Sequence, residues 1–530
     1  MLLPADRNPQ IPVFAQHSFV ALVQRIREPL HIVGRVSDGL RGLACASEYA
    51  TGGGDEGDVL GTLPPLYPEW LGDRSFAEAH SVRFPYIAGE MANGISTARM
   101  VIALAQADLL GFLGAAGMSK TKLEAALHEL QAELGDRSNW GANLIHTPTE
   151  ADLEDEVAEL MLRRGVPRIS TSAFTTVTPA VVRCAATGLR LDPSGQIVRR
   201  TAIFAKVSRP DIAEAFMSPA PPDLLALLVR RGQLSEAEAG LARHVAVAED
   251  ITVEADSAGH TDGRPLVALL PAVLAVRDAV VGRYDLARPV RVGAAGGLGE
   301  PGAVAAAFAL GAAYVLTGSV NQMAVEAGLS LVAKSMLAQA DVTDVAMAPA
   351  PDMFELGAQV QVLRRATLFP SKSARLYRAY RAYPSLAAIP AEERHALERE
   401  VLGATMDEVW EHAREYWLAR RPTELERAAA DPKHRMALLF RWYMSRSSRW
   451  AIAGDPHRIA DYQIWCSPAA GAFNRWTAGS FLAVPENRTV VQIARNLLEG
   501  AAVATRAHQL RSYGVALPAA AFQFRPRRLD

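Results

Sequence analysis

Val290-Arg291-Val292-Gly293-Ala294-Ala295-Gly296-Gly297-Leu298-Gly299 is followed by Pro301, an apolar helical pattern, and then Ala312-Ala313-Tyr314-Val315-Leu316-Thr317-Gly318-Ser319. The stretch reads strand, glycine-rich turn, helix, strand, Gly-Ser, helix. Glycine at a strand end lets the backbone approach a ligand closely. Backbone N–H groups there and at a following helix N-terminus cradle an anion. Two such loops one βα unit apart match the phosphate site that recurs after strands seven and eight of a (β/α)8 barrel. They point to a cofactor with a monophosphate. Gly-x-x-Gly-Gly-x-Gly also suits a Rossmann turn, but that fingerprint opens the first βα unit of its fold, and this one sits late in the chain. Tight turns that need glycine for their own geometry are the plain alternative.

Outward from this stretch, short apolar runs at 82–87, 109–113, 141–146, 168–173, 202–207, 251–255, 290–293 and 313–317 alternate with helical patterns. Such alternation predicts parallel βα units, and eight strands close a TIM barrel. A doubly wound sheet is the competing arrangement. The expected fold is α/β, with a barrel over 81–330 and an N-terminal segment, 1–80, packed on it. Within 1–80, residues 50–58 read as a solvated loop, and Tyr67, Pro68 and Trp70 as packed surface. A helical insert near 221–248 starts at Pro221-Pro222, just before the sixth strand. It reads either as a cap over the active site or as a surface hairpin. Beyond 330 strand signals largely vanish, and helical patterns at 323–340, 353–364, 372–381, 391–430, 434–447 and 488–511 predict a mostly helical region over 331–530.

Bulk properties exclude several classes. A net charge of −2 lacks the basic footprint of nucleic-acid binding. Cys45, Cys184 and Cys466 are sparse and form no Cys-x-x-Cys pair, as expected of a reducing cytoplasm. Met1 to Arg7 shows no signal-peptide pattern. No apolar run reaches the ~18 residues of a membrane span. The protein is therefore expected in the cytoplasm, away from membranes.

Two further clusters carry chemistry. Ile251-Thr252-Val253-Glu254-Ala255-Asp256-Ser257-Ala258-Gly259-His260-Thr261-Asp262 is a strand ending in acids, then a polar loop with one histidine. Barrel chemistry sits at strand C-terminal ends, and His260 titrates near neutral pH, as a proton donor or acceptor does. A solvated loop histidine is the bland reading. A metal set of Asp256, His260 and Asp262 lacks the second His or Cys that such sites usually have, and no metal is expected. Tyr86-Ile87-Ala88-Gly89-Glu90-Met91-Ala92-Asn93-Gly94-Ile95-Ser96-Thr97 follows the first strand. Its small residues would let a flat ring lie on the backbone, with Asn93 offering an amide; an N-cap at Ser96 needs no ligand. Asn143 and Lys206 add polar groups at strand ends. A lysine in an apolar strand is costly unless it faces a ligand or pairs with an acid.

Taken in order, these clusters resemble the nitronate monooxygenase and flavin enoyl reductase superfamily. The carrying segments are Met91-Ala92-Asn93-Gly94, Gly111 to Gly117, Glu254 to Asp262 and Gly293 to Gly297. Met347-Ala348-Pro349-Ala350, Asp352-Met353-Phe354-Glu355, Phe440-Arg441-Trp442-Tyr443, and Asp461 to Cys466 with Phe473 to Trp476 are similar to the PfaD family within it. The resemblance implies FMN, reduced by NADPH or NADH. Met91, Ala92 and Asn93 would lie at the flavin ring, Asn143 and Lys206 at its polar edge, and Glu254 and Gly259 beside it; Gly296, Gly297, Gly318 and Ser319 would hold the FMN phosphate, and His260 would be the active-site histidine. The chain departs from the superfamily where Ala258-Gly259 stands for a common Gly-Gly, and where Asp262 replaces a frequent glycine. The implied activity is trans-acting reduction of enoyl thioesters on acyl carrier protein domains of a polyketide or fatty acid synthase. A nitronate monooxygenase-like oxidase using the same site, and a non-catalytic docking component of a megasynthase, remain open alternatives. So does a homodimer.

Overall fold

Each of the eight expected runs is a strand in the computed structural model, which describes residues 14–49, 57–147 and 150–530. They are β1 (Tyr86–Ala88), β2 (Leu110–Leu113), β3 (Trp140–Ile145), β4 (Arg168–Ser172), β5 (Ala202–Val207), β6 (Asp250–Glu254), β7 (Arg291–Ala295) and β8 (Val315–Thr317). Neighbours pair in parallel, and β8 closes on β1 with Val315 opposite Tyr86 and Thr317 opposite Ala88. The fold is a TIM barrel, not an open sheet.

Aromatic rings fill the N-terminal half of the barrel. Phe76 stacks on Tyr314 at 4.5 Å between centroids, and Phe112 and Phe204 pack edge to face at 5.2 Å. Glycines on adjacent strands admit these rings: a Cβ at Gly293 would meet the Tyr314 ring at 2.3 Å, and one at Gly141 the Phe112 ring at 2.5 Å. Below them, Asp250 accepts from Arg291 Nε at 2.7 Å and lies 3.0 Å from His80 Nε2. This end of a barrel carries stability rather than catalysis. Outside, helices lay one apolar face on the strands. Lys120–Leu134, capped by Ser119, buries Leu123, Leu127, Leu130 and Leu134 at helical spacing. Each fully buried leucine is worth roughly 1.5–3 kcal/mol.

The insert near 221–248 forms helices Pro222–Arg230 and Glu236–Leu241. It follows a barrel helix and precedes β6, so topology puts it at the N-terminal end of the barrel, and none of its residues lines the large cavity at the other end. It is a surface hairpin packed beside helix Pro179–Ala186, not an active-site cap.

The N-terminal segment holds helix Gln16–Gln24 and an antiparallel sheet of Leu30–Gly34 between Arg41–Cys45 and Asp58–Leu63. The solvated loop expected over 50–58 lies outside the described residues except at its end, where Asp58 begins a strand; Met1 to Arg7 also lie outside them. The C-terminal region is mostly helical, with helices that include Met406–Arg420, Pro432–Ala453 and Val490–Ser512. The helical pattern expected at 353–364 is corrected: Gln359–Leu363 is a strand, paired antiparallel with Val345–Pro349. All three cysteines are buried and free, and burial pushes the Cys184 and Cys466 thiols up to about 12. Among the described residues no helix is long and apolar enough to cross a membrane.

Candidate functional site

The paired glycine turns face the cavity at the C-terminal end of the barrel. Gly296 and Gly297 take φ of +93° and +72°. A Cβ at Gly296 would stand 2.9 Å from the Asp256 carbonyl oxygen, so the turn is pressed against the loop after β6. At Gly297 and Gly318 a Cβ would meet nothing within 4 Å. These two positions line the cavity and leave room for a ligand. Ser319 opens a 3-10 turn, Ser319–Met323, and its Oγ accepts from the Ser467 backbone N–H at 3.1 Å. Ser467 precedes helix Pro468–Thr477. A Cβ at Gly299 would lie 2.2 Å from the Ala469 carbonyl oxygen, so that helix start is pressed onto the same glycine loop. The two glycine loops and the start of helix Pro468–Thr477 thus meet at one end of the cavity.

The loop after β1 lies flat against the loop after β2. A Cβ at Gly114 would be 1.8 Å from the Met91 carbonyl oxygen, and Asn93, in the left-handed region at φ +59°, donates its N–H to Ala116 at 2.7 Å. The helix N-cap is Thr97, which accepts from Met100 N–H, not Ser96; the Ser96 hydroxyl donates to the Gly89 carbonyl at 3.1 Å instead. Asn143 Oδ1 accepts from Ala116 N–H at 3.1 Å, and its Nδ2 reaches Ser172 Oγ at 3.5 Å. Met91, Ala92, Asn93 and Asn143 line the cavity together.

At the far side, Lys206 Nζ stands 3.2 Å from Glu90 Oε1 and 3.4 Å from Glu254 Oε1. Burial alone would pull its pKa down, but the two carboxylates outweigh it and hold the ammonium charged. The lysine does pair with acids, and both acids face the cavity with it. Glu90 also accepts from Ser170 Oγ at 3.1 Å, while its other oxygen, Oε2, is buried without a hydrogen-bond partner. Gly259 holds the turn close to Glu254: a Cβ there would sit 2.6 Å from Glu254 Oε1.

His260 Nε2 lies 3.0 Å from Asp352 Oδ2 and its ring stands edge to face with Trp465 at 5.6 Å. Burial acts to lower its pKa, but the bond to Asp352 outweighs this and the net shift is upward. The three residues weighed as a metal set have separate partners. Asp256 accepts from Gln361 Nε2, and Asp262 from Ser208 Oγ at 3.0 Å.

One cavity of about 1320 Å³ joins the glycine turns, the Met91–Asn93 loop with Asn143, Lys206 with its two acids and the His260–Asp352 pair; Asp256 and Asp262 do not line it. Its roof is built by Asp352, Trp465 and Ser467 of the C-terminal region; Asp352 and Trp465 lie in segments that carry the family resemblance, but no local pattern links position 352 to position 260. Glu90 lies in the motif after the first strand, where its residue type alone suggests no role.

Residues 74–388 match the family model described as nitronate monooxygenase. The chain belongs to the nitronate monooxygenase family. It is thereby one of a group of flavin-dependent oxidoreductases. Residues 383–462 match the inserted helical domain of [acyl-carrier-protein] S-malonyltransferase. The chain is 41% identical over 435 residues to the polyketide biosynthesis protein PksE of Bacillus subtilis, covering 82% of this chain and 56% of that protein. It is also 42% identical over 442 residues to the polyketide biosynthesis protein ThaF of Burkholderia thailandensis, covering 83% of this chain and 38% of that protein. A polyunsaturated fatty acid synthase component of Thraustochytrium is 41% identical over 449 residues, which are 83% of this chain and 30% of that component. The chain thus spans about half or less of these curated relatives. Among solved structures it is similar to the enoyl reductase domain of MlnA, from the macrolactin biosynthesis cluster of Bacillus amyloliquefaciens. That likeness has 35% identity and a TM-score of 0.80, over 84% of this chain and 99% of that domain.

The residues of this family member fit a flavin mononucleotide. The open positions at Gly297 and Gly318 suit its phosphate, and the loop at Met91 to Asn93 lines the same cavity together with Asn143 and Lys206.

Proposed function

We propose that the chain is an FMN-dependent enoyl reductase that acts in trans on enoyl thioesters carried by acyl carrier protein domains of a polyketide or fatty acid synthase. The observation that carries this reading is the single cavity joining the glycine cradle, the flat loop at Met91–Asn93 and the His260–Asp352 pair. Bound there, FMN would supply the two-electron chemistry, taking hydride from NADPH or NADH and delivering it to the β-carbon of the enoyl thioester. Gly296, Gly297, Gly318 and Ser319 would hold its phosphate. Lys206, charged between Glu90 and Glu254, would set a positive potential at the polar edge of the ring, beside Asn143. His260, kept protonated by Asp352, would give its proton to the α-carbon as the double bond is lost. One hydride and one proton would saturate the bond, balanced by two-electron oxidation of the nicotinamide. The barrel, 81–330, would carry the chemistry, and the region 331–530 would roof it.

The flavin-loaded protein, given NAD(P)H and an enoyl thioester on a carrier protein, should consume enoyl absorbance and reductant in equal amounts. His260→Ala should slow turnover by about 10²–10⁴-fold. Turnover of an alkyl nitronate with oxygen, and none of the enoyl thioester, would assign the site to the oxidase reading. Unchanged saturation by His260→Ala in a reconstituted synthase would make the chain a scaffold.

A further inference from the structure

The cavity exceeds the roughly 300–1,000 Å³ of a typical small-molecule site, and its wall changes character outward. The inner end carries Lys206, Glu254 and His260; the outer end is built by helices Met406–Arg420 and Pro432–Ala453. The arginines that line the cavity differ in their partners. Arg441 is engaged by Glu355 at 3.2 Å and Arg458 by Asp461 at 3.3 Å. Arg446 and Arg449, one turn apart on the same helix, have no carboxylate within 4.0 Å among the described residues. Each lies only against a ring face, Arg446 at 5.8 Å from the Trp442 centroid and Arg449 at 5.8 Å from that of Tyr416. Arg420 lies 5.9 Å from the same Tyr416 ring and reaches Glu150 only at 3.7 Å. Arg427, of helix Pro422–Ala430, also lines the cavity, and against these cations stand Glu150, the exposed Glu415 and Glu424, which is held by His434.

We propose that this mouth binds the phosphate of a phosphopantetheine arm, with Arg446 and Arg449 as its ligands. The inference rests on the enoyl-thioester reading and names how that substrate is held. Guanidinium forks match phosphate oxygens in pairs, and cations already stacked on rings are pre-oriented while their N–H groups stay free. The uncharged pantetheine chain beyond the phosphate would run down the cavity and bring its thioester toward His260. A second source of the same chemistry is the reductant, whose phosphates would compete for the mouth.

The test is equilibrium titration of the flavin-loaded protein with 4′-phosphopantetheine, with pantetheine, and with NADP⁺. Phosphopantetheine should bind at least about tenfold more tightly than pantetheine, the scale of one charge-assisted contact. Arg446→Ala with Arg449→Ala should erase that preference while flavin content and NADP⁺ affinity hold, and the double lysine variant should restore part of it. Equal binding of the two arms by the unaltered protein overturns the proposal. So does a preference that survives the double alanine variant. Loss of NADP⁺ affinity in that variant, with the arm preference intact, would give the mouth to the reductant instead. Binding is read without turnover, so a protein that keeps the preference yet reduces no enoyl thioester would sink the reductase reading alone.

Discussion

His260 and Asp352 show how one contact sets the working range of a proton donor. Burial disfavours the imidazolium, and the carboxylate 3.0 Å away more than restores it. A group whose pKa is raised keeps its proton to a higher pH than ordinary imidazole, so the donating form is lost only as pH climbs through that raised value. Asp352→Asn removes the partner and leaves the burial. The alkaline limb of the enoyl-reduction profile should then move to lower pH, read from kcat against pH; a limb that stays in place would separate Asp352 from the proton donor. At this scale the sequence was partly legible. Gly296, Gly297 and His260 lie in contiguous motifs whose residue types suggest a role. Asp352 lies in a segment that carries the family resemblance, but nothing local names His260 as its partner, which tertiary packing sets. Ser96 and Thr97 both fit a cap by type, and only the path of the backbone chooses Thr97.

Among elements, the eight barrel strands were legible because each is a short apolar run bounded by turn residues. The strand Gln359–Leu363 was not, although Gln359-Val360-Gln361-Val362 alternates at the period of two expected for a strand. It follows the turn-rich Asp352–Gly357 stretch, and its pairing with Val345–Pro349 is what decides its state. The insert before β6 was recognised as helical, but its position depended on which end of the barrel an α-to-β connection occupies. The same connections build the ion cluster at the N-terminal end. Asp250 is fully buried, and although burial would raise its pKa, His80 and Arg291 hold it below the usual carboxylate range. Asp250→Ala leaves Arg291 without its carboxylate in a dry site, which should cost about 3–5 kcal/mol in urea unfolding. A loss below about 1 kcal/mol would mean that water or Glu249 replaces the partner. In the unaltered protein this contribution is complete above the unfolded-state pKa and fades as acid drives pH down through the depressed one.

For the whole molecule, the C-terminal helix Val490–Ser512 ties the three parts of the chain together. It lies along the barrel helix Pro301–Ala309, where a Cβ at Gly500 would meet Pro301 Cγ at 2.5 Å. From the same helix, buried Arg506 donates to the carbonyls of Arg25 and Glu28, each at 2.9 Å, and of Pro64 at 2.7 Å. Arg506→Met would leave these three acceptors without their donor. It should lower stability by about 3 kcal/mol or more, and limited proteolysis should then cut first within the N-terminal segment. Cleavage elsewhere at unchanged stability would show that this stitch is dispensable. The cavity itself exists only because barrel and helical region close over each other, which is why its lining could not be assembled from motifs of either part. In the proposed function the turns after β7 and β8 grip a flavin through its phosphate. Fluorescence titration of flavin-free protein with FMN and with riboflavin, which lacks only that phosphate, tests it most directly. FMN should bind at about one per chain and at least ~100-fold more tightly than riboflavin, as two or more charge-assisted contacts imply; equal affinity for the two, or no uptake of either, would contradict it.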